Sequence, residues 1–285
     1  MLSQRLEAEE LMDDPALDAG TYHAVLHDLA KVNRTTFAYR PTLDFLSRAI
    51  GAAPTSPESP PPRRRGVRGG GARPEGSRVH VGVEHPHPTL PLKGEGFLGQ
   101  DQRQQHIGSL KSFRLLDVGF GDGDMLRRIA RWSARRGLAA ELTGIDLNAR
   151  SVAAAEAMTR ADVPIRYLAG DYADLAGEPF DFVISSLVAH HMSHAQLVAF
   201  VRFMDRESRL GWFVNDLHRH GFAHLSFPLL ASVMGWHRIV RLDGATSIAR
   251  SYRPHEWPTI LAEAGVEGAR VRRRFPFRLC VETIR

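Results

Sequence analysis

The stretch FRLLDVGFGDGDMLRRIA, Phe113 to Ala130, constrains the fold more than any other part of the chain. Phe113, Leu115, Leu116 and Val118 form an apolar run that reads as a buried strand. The run breaks into a loop with glycine at Gly119, Gly121 and Gly123. An amphipathic helix then begins, with Met125, Leu126, Ile129 and Trp132 at helical spacing and Arg127, Arg128 and Arg131 between them. A glycine-rich turn between strand and helix lets a ligand touch backbone where any Cβ would collide. Such a unit belongs to an open α/β sheet.

The glycine spacing separates cofactor classes. A dinucleotide fingerprint, G-x-G-x-x-G, needs its third glycine to pack helix on strand. Asp124 stands at that place, and an acidic residue, Asp117, lies just before the first glycine. This D-x-G-x-G-x-G pattern resembles the first motif of the class I S-adenosylmethionine-dependent methyltransferases. The resemblance runs in order from Phe113 to Arg285. It implies S-adenosyl-L-methionine as cofactor and a Rossmann-like α/β fold. That fold has a seven-stranded, mostly parallel sheet with an antiparallel last strand, helices on both faces and an N-terminal helical lid. The donor carries a sulfonium and an ammonium but no pyrophosphate, so a strand-end carboxylate suits it better than it suits a phosphate.

Further strands follow the first. Glu141 to Ile145 reads as a second strand that ends at Asp146. A carboxylate there can accept from both ribose hydroxyls, the part an acid plays in other nucleoside-binding α/β folds. It can equally cap the helix beginning near Asn148. The resemblance places Leu147 against the adenine. Ile165 to Leu168 is a third strand, before Asp171 and Tyr172. In the resembled family an Asp here takes the adenine amino group, and the next residue's backbone adds a bond; an ordinary turn is the other reading. Phe180 to Ser185 and Gly211 to Asn215 are the fourth and fifth strands. Ser185 and Ser186 would lie, by resemblance, near the methionine end of the cofactor. Ala269–Arg274 and Arg278–Thr283 read as a closing hairpin, completing seven strands.

Residues 1–52 are expected to form the helical lid, or a cover for an open sheet face. Leu17 to Val32 carries Tyr22, Val25, Leu26 and Leu29 on one face, and Pro41 can start a second helix. Residues 53–112, rich in Pro, Gly, Ser and Arg, show neither a strand nor a helix period and read as a disordered insertion. Residues 113–285 would be the methyltransferase domain. The segment Arg219 to Trp236 is apolar, suits core with one or two pocket residues, and should kink or divide at Pro228.

The sequence pI of about 9.8 raises the question of nucleic acid. Nine Lys/Arg against five acids between Pro54 and Ser112 supply +4 of the formal +5. The excess sits in the insertion, so a basic face on the core is not expected and a nucleic-acid partner is disfavoured. Cys280 is the only cysteine, which leaves no intramolecular disulfide. No apolar run approaches the ~20 residues that span a bilayer, and the acidic N-terminus does not resemble a secretory signal. Cytoplasmic residence is the default expectation.

Methyl transfer to a phenol or enol oxygen needs its proton removed, and histidine, with an ordinary pKa of ~6.5, is the natural base. His190 and His191 follow the fourth strand; His218, His220 and His224 follow the fifth. SSLVAHHMS and NDLHRH resemble the corresponding loops of methyltransferases acting on quinols and polyketide-type molecules. His191 is the first candidate for substrate orientation or general base, His218 the second; a packing histidine is the plain alternative for each. No carboxylate lies at metal-ligand spacing from them, so no metal is expected. The expected acceptor is a hydroxyl of a small, aromatic or polyketide-like molecule. An RNA-modifying methyltransferase and a non-catalytic cofactor-binding scaffold are the rival readings.

Overall fold

A computed structural model describes residues 2–53 and 110–285. The sequence reading of a disordered insertion at 53–112 falls almost wholly outside the described residues. Seven strands form one sheet in the order β3-β2-β1-β4-β5-β7-β6. They are β1 (Ser112–Val118), β2 (Ala139–Asp146), β3 (Ile165–Ala169), β4 (Phe180–Ser186), β5 (Ser208–Leu217), β6 (Arg270–Arg274) and β7 (Arg278–Ile284). All neighbouring pairs through β5 are parallel, and β7 runs antiparallel to both β5 and β6. The fold class expected from the sequence is therefore the one observed. Strand order reverses direction between β1 and β4, and the crevice at such a switch point, outside the carboxyl ends, is where open α/β sheets bind ligands.

Period-two alternation sorts the core into two faces. Phe113, Leu115, Phe182, Ile184 and Phe213 point to one side, where they meet α2 (Arg40–Ala52) and α3 (Asp124–Ala134). Leu116, Val118, Val183, Trp212 and Val214 point to the other, under α5 (His194–Glu207) and α8 (Trp257–Ala264). Phe45 of α2 stacks on Phe213 at 4.9 Å between centroids and meets the edge of Phe182 at 6.0 Å. Asn215 of β5 donates to the Ala38 carbonyl just before α2 at 2.8 Å and to Thr42 Oγ1 within it at 3.2 Å.

The two N-terminal helices divide the roles expected of them. α2 covers a sheet face. α1 (Ala19–Thr35) lies instead over the carboxyl ends of the strands, between α4 (Ala149–Met158) and the pair α6 (Gly221–Val233) and α7 (Arg238–Arg250). Val25 and Val32 pack on Ala231, Trp236 and Val240, while Tyr22 and Leu26 pack on Ala154. The Tyr22 hydroxyl lies 3.2 Å from Ser151 Oγ and accepts from Asn148 Nδ2 at 3.1 Å.

Two local expectations are corrected. α6 runs through Pro228 without dividing. Of its apolar side chains, Phe222, Leu225, Leu229 and Val233 are exposed rather than core, because α6 is an outer helix that rests on α7 along one face only. At the end of α8, Gly265 holds φ +74° and no atom lies within 4 Å of where its Cβ would be. Gly265→Ala therefore meets strain without a clash, and should cost about 1 kcal/mol in denaturant unfolding, with no change in ligand binding.

Candidate functional site

The loop after β1 builds the floor of the site. Gly119 has φ +74° and donates to the Ile145 carbonyl at 2.8 Å. A Cβ there would stand 2.2 Å from Val188 Cγ2, so the backbone passes where only glycine fits. The Gly121 amide donates to Asp146 Oδ2 at 2.9 Å, and Asp146 Oδ1 accepts from the Asn148 amide at 2.9 Å. Burial raises the Asp146 carboxyl above its ordinary range despite these bonds.

Two cavities meet over this loop. The first, about 380 Å³, is bounded by Val118, Ile145, Asp146, Leu147, Asn148, Gly170 and Tyr172, the carboxyl ends of β1, β2 and β3. The second, about 230 Å³, lies under α1 and α7, with Val25, Leu29, Phe227 and Val240 as apolar wall and Ser186, His190, Leu217 and Arg278 on the sheet side. Met12, Asp13, Leu26, Gly119, Gly121, Leu187 and His191 line both, and so mark the junction. Leu187 sits at that junction with φ +62°, a costly conformation for a branched residue. Its amide donates to the Asn215 carbonyl at 3.0 Å.

A buried polar cluster stands beside the junction. The His190 amide donates to Asp216 Oδ2 at 2.8 Å, and His190 Nδ1 lies 2.7 Å from Asp216 Oδ1. On the other side of the ring, Nε2 is 3.5 Å from Glu10 Oε1. Burial alone would lower the His190 pKa, but the charges and hydrogen bonds of Asp216 and Glu10 outweigh it and push it up to about 9. Burial would raise the Asp216 and Glu10 carboxyls, and His190 instead holds both below their ordinary values. His191, half-buried, has Nδ1 3.3 Å from Asp13 Oδ2 and Nε2 3.9 Å from Glu10 Oε2. The two imidazoles lie 4.2 Å apart, tilted by 39°.

The N-terminal segment that delivers Glu10 and Asp13 is pinned along its length. Arg5 donates to the carbonyls of Arg250, His190 and Met192, and the Leu11 and Met12 amides donate to the Asp243 carboxylate at 2.9 Å each.

Comparison with known proteins bears on this arrangement. Residues 115–211, about a third of the chain, match a family model described as "Methyltransferase domain". Over that span the chain is similar to methyltransferase domains. Its matched span runs from β1 to β5 and takes in the glycine loop, Asp146, His190 and His191. Solved structures with similar coordinates include three methyltransferases. The plantazolicin methyltransferase BpumL, in complex with a triazolic desmethylPZN analog and SAH, is 16% identical with TM-score 0.47, over 61% of this chain and 76% of that one. Magnesium protoporphyrin IX methyltransferase from Synechocystis PCC 6803, with bound SAH, is 18% identical with TM-score 0.43, over 62% and 75%. Human N-acetylserotonin methyltransferase, in complex with SAM, is 13% identical with TM-score 0.43, over 60% and 47%. No curated protein sequence matches the chain.

The fold places the sequence-derived residues unevenly. Gly119, Gly121, Asp146, Leu147, Tyr172, Ser186 and His191 all line one or both cavities. Gly123 is set back, as the residue before α3. Asp117, Asp171, Ser185 and His218 line neither. Asp171 is spent as a cap, accepting from the Ala173 amide at 2.9 Å. Asp117 and Ser185 are buried in strands, and Asp117 Oδ1 and Ser185 Oγ lack any partner among the described residues. His218 follows Leu217, whose side chain takes the cavity side. The His218 amide donates to the Phe277 carbonyl, and its ring lies 5.6 Å from His220. The five histidines therefore do not converge: His224 Nδ1 reaches the Ala245 carbonyl, and only His190 and His191 line the described cavities.

Four participants were missed. Glu10 and Asp13 arrive from the far N-terminus, and Asp216 and Arg278 from β5 and β7. Glu10 also supplies the carboxylate whose absence argued against a metal at His190–His191. Here it is committed to His190, to Ser247 Oγ at 2.7 Å, and to Arg250 at 3.8 Å. Asp216 lies within a motif already picked out by its histidines, so its strand-end position was a usable signal. Nothing local flags Glu10.

Proposed function

We propose that this chain transfers a methyl group from S-adenosylmethionine to a hydroxyl of a small, aromatic or polyketide-like molecule. The observation that carries the reading is the pair of cavities joined at Gly119, Leu187 and His191: one faces the strand ends that carry Asp146, the other is walled by apolar side chains.

The residues present fit the donor. The backbone at Gly121, which lines both cavities at φ +57°, leaves open space where a Cβ would stand. Asp146 faces the larger cavity, with lone pairs left for ribose hydroxyls. The orphaned Asp117 Oδ1 and Ser185 Oγ cost free energy that donor groups of an arriving ligand would offset. When bound, the sulfonium supplies an activated methyl group. Leu147 and Tyr172 would hold the adenine side, and Asp146 the ribose. Burial, then the neighbouring Asp146 charge, raises the Asp117 carboxyl well above its usual range, and a cationic ammonium would favour its ionised form.

The chain's own chemistry is alignment, exclusion of water and proton removal. α1 and the segment before it act as the lid. His191, at the junction, accepts the hydroxyl proton, and Asp13 and Glu10 orient its ring and stabilise the imidazolium that forms.

Incubation with labelled S-adenosylmethionine and a panel of phenols and quinols tests transfer, and calorimetry with adenosylhomocysteine tests the donor cavity. Asp146→Ala should weaken adenosylhomocysteine binding by roughly tenfold to a hundredfold, the worth of charge-assisted hydrogen bonds. No heat with adenosylhomocysteine but clear uptake of NADH would overturn the reading.

A further inference from the structure

The apolar cavity contains a buried charge with no ion-pair partner among the described residues. Arg278, the first residue of β7, stands opposite Leu217 of β5, and both side chains line the cavity. Arg278 is 2% exposed. Its guanidinium makes no hydrogen bond or ion pair among the described residues, and Nη1 is fully buried without a partner. The other buried arginine, Arg219, has an ion-pair partner, Glu256 Oε1 at 2.6 Å, although its Nε and Nη1 lack hydrogen bonds, and the half-buried Arg5 donates to carbonyls and the Tyr252 hydroxyl. A guanidinium does not shed its proton to escape burial, so the charge persists.

Among the described residues that line the cavity, no acid is free to answer it: Asp122 is paired with Arg127 at 3.4 Å. Asp216, the nearest by charge effect, is held by His190 and by the Leu217 amide. Glu10 is bound to His190 and Ser247, Asp13 faces His191, and Asp243 accepts the Leu11 and Met12 amides. A neutral or cationic occupant would seal the cation in without a partner, at high cost. A carboxylate can meet the guanidinium fork with two parallel bonds. A second orphan lies in the same cavity: Asn33 Oδ1, on α1, is buried with no donor. It calls for an O–H or N–H on the occupant.

We propose that the methyl acceptor carries an anionic group, a carboxylate or an ionised enol, that pairs with Arg278 beside the hydroxyl to be methylated. This rests on the smaller cavity being the acceptor site. The acceptor class is thus narrowed from any small phenol to hydroxylated acids, in a cavity of about 230 Å³ whose remaining walls are apolar.

The test uses full-length protein saturated with adenosylhomocysteine, and four probes by calorimetry. The probes are a hydroxynaphthoate, its neutral amide, an acidic hydroxypyrone and its neutral methyl ether. The wild type should bind one or both anions about tenfold or more tighter than the neutral counterpart. Which anion gains tells a carboxylate from an enol. Arg278→Met should erase that difference, and Arg278→Lys should restore part of it. Arg278→Met should also raise the thermal midpoint of the ligand-free protein, since it removes an unpaired buried charge, whereas a structural arginine would lower it. Equal binding of anions and neutrals by the wild type, or an unchanged preference in both variants, overturns the proposal. Adenosylhomocysteine heat, measured on the ligand-free protein before the probes are added, separates these outcomes from failure of the methyltransferase reading, which would show no such heat at all.

Discussion

Replacing His191 by alanine should lower turnover by roughly 10²–10⁴-fold, the usual contribution of a positioned general base. The loss should fall on kcat, because the side chain acts on the proton in the transition state, while adenosylhomocysteine affinity stays near the wild-type value. The reasoning is geometric. His191 is one of seven residues that border both cavities, so it stands where the proposed donor and acceptor sites meet. Two carboxylates, Asp13 at 3.3 Å and Glu10 at 3.9 Å, face its nitrogens and stabilise the cationic product of proton transfer. His190 cannot replace it: its Nδ1 is bound to Asp216, it is buried, and with a pKa of about 9 it is already protonated at neutral pH. Asp13→Asn should reproduce part of the loss. Full turnover in His191→Ala, with an acceptor whose hydroxyl is un-ionised at the assay pH, would remove the base assignment.

The sheet was legible because its signals are local. Strands β1, β4 and β5 are apolar runs, and the glycine loop follows β1 directly, whereas β6, RVRRR, was legible as half of a closing hairpin. Boundaries moved little: the second strand extends to Ala139–Asp146 and the fifth begins earlier, at Ser208. α7 escaped notice because RIVRLDGATSIAR has a central glycine and no strong apolar stripe. Gly144 of β2 and Gly244 of α7 are instead packing choices: a Cβ would come within 2.7 Å of Leu126 and Phe120 at the first, and within 2.0 Å of Phe227 at the second. Asp146, Leu147 and Tyr172, which border the larger cavity, were legible for the same reason as the sheet, since they sit at strand ends. The polar cluster beside the smaller cavity was not. It is assembled from Glu10, Asp13, Asp216 and Arg278, separated by up to nearly the whole chain, and pairing at that range leaves no periodic trace. Two of the expected residues lie outside the described cavities: Asp171 caps the turn after β3, and His218 falls on the other side of a strand end from Leu217.

Asp216→Asn should cost about 3–5 kcal/mol of folding stability, the penalty for breaking one partner out of a buried ion pair. The substitution keeps the shape and an acceptor for the imidazole but removes the charge that, with Glu10, sustains the His190 cation. The same cluster sets a pH window. His190 has its folded pKa raised from 6.5 to about 9, so its contribution is complete below about 6.5 and is lost as pH rises through about 9. Glu10, Asp13 and Asp216 are depressed below 4.5, 3.8 and 3.8, so theirs is present above those values and is lost as pH falls through the lower folded ones. Asp243, raised first by burial, works against them at neutral pH, and Arg250 and Arg278 supply fixed positive charge around the cluster. Stability from this cluster should therefore peak between about pH 4.5 and 6.5 and decline toward pH 9. Because Glu10 belongs to the segment that roofs the junction, amide exchange in residues 2–35 should quicken over the alkaline limb before exchange in β1 and β4 does. In Asp216→Asn the alkaline limb should move down toward neutrality, as His190 keeps only Glu10. Denaturant unfolding of both proteins from pH 4 to 10 measures this. Curves that run parallel at every pH would mean that Asp216 and His190 contribute packing alone, and that the N-terminal roof is held by Arg5 and Asp243 without them.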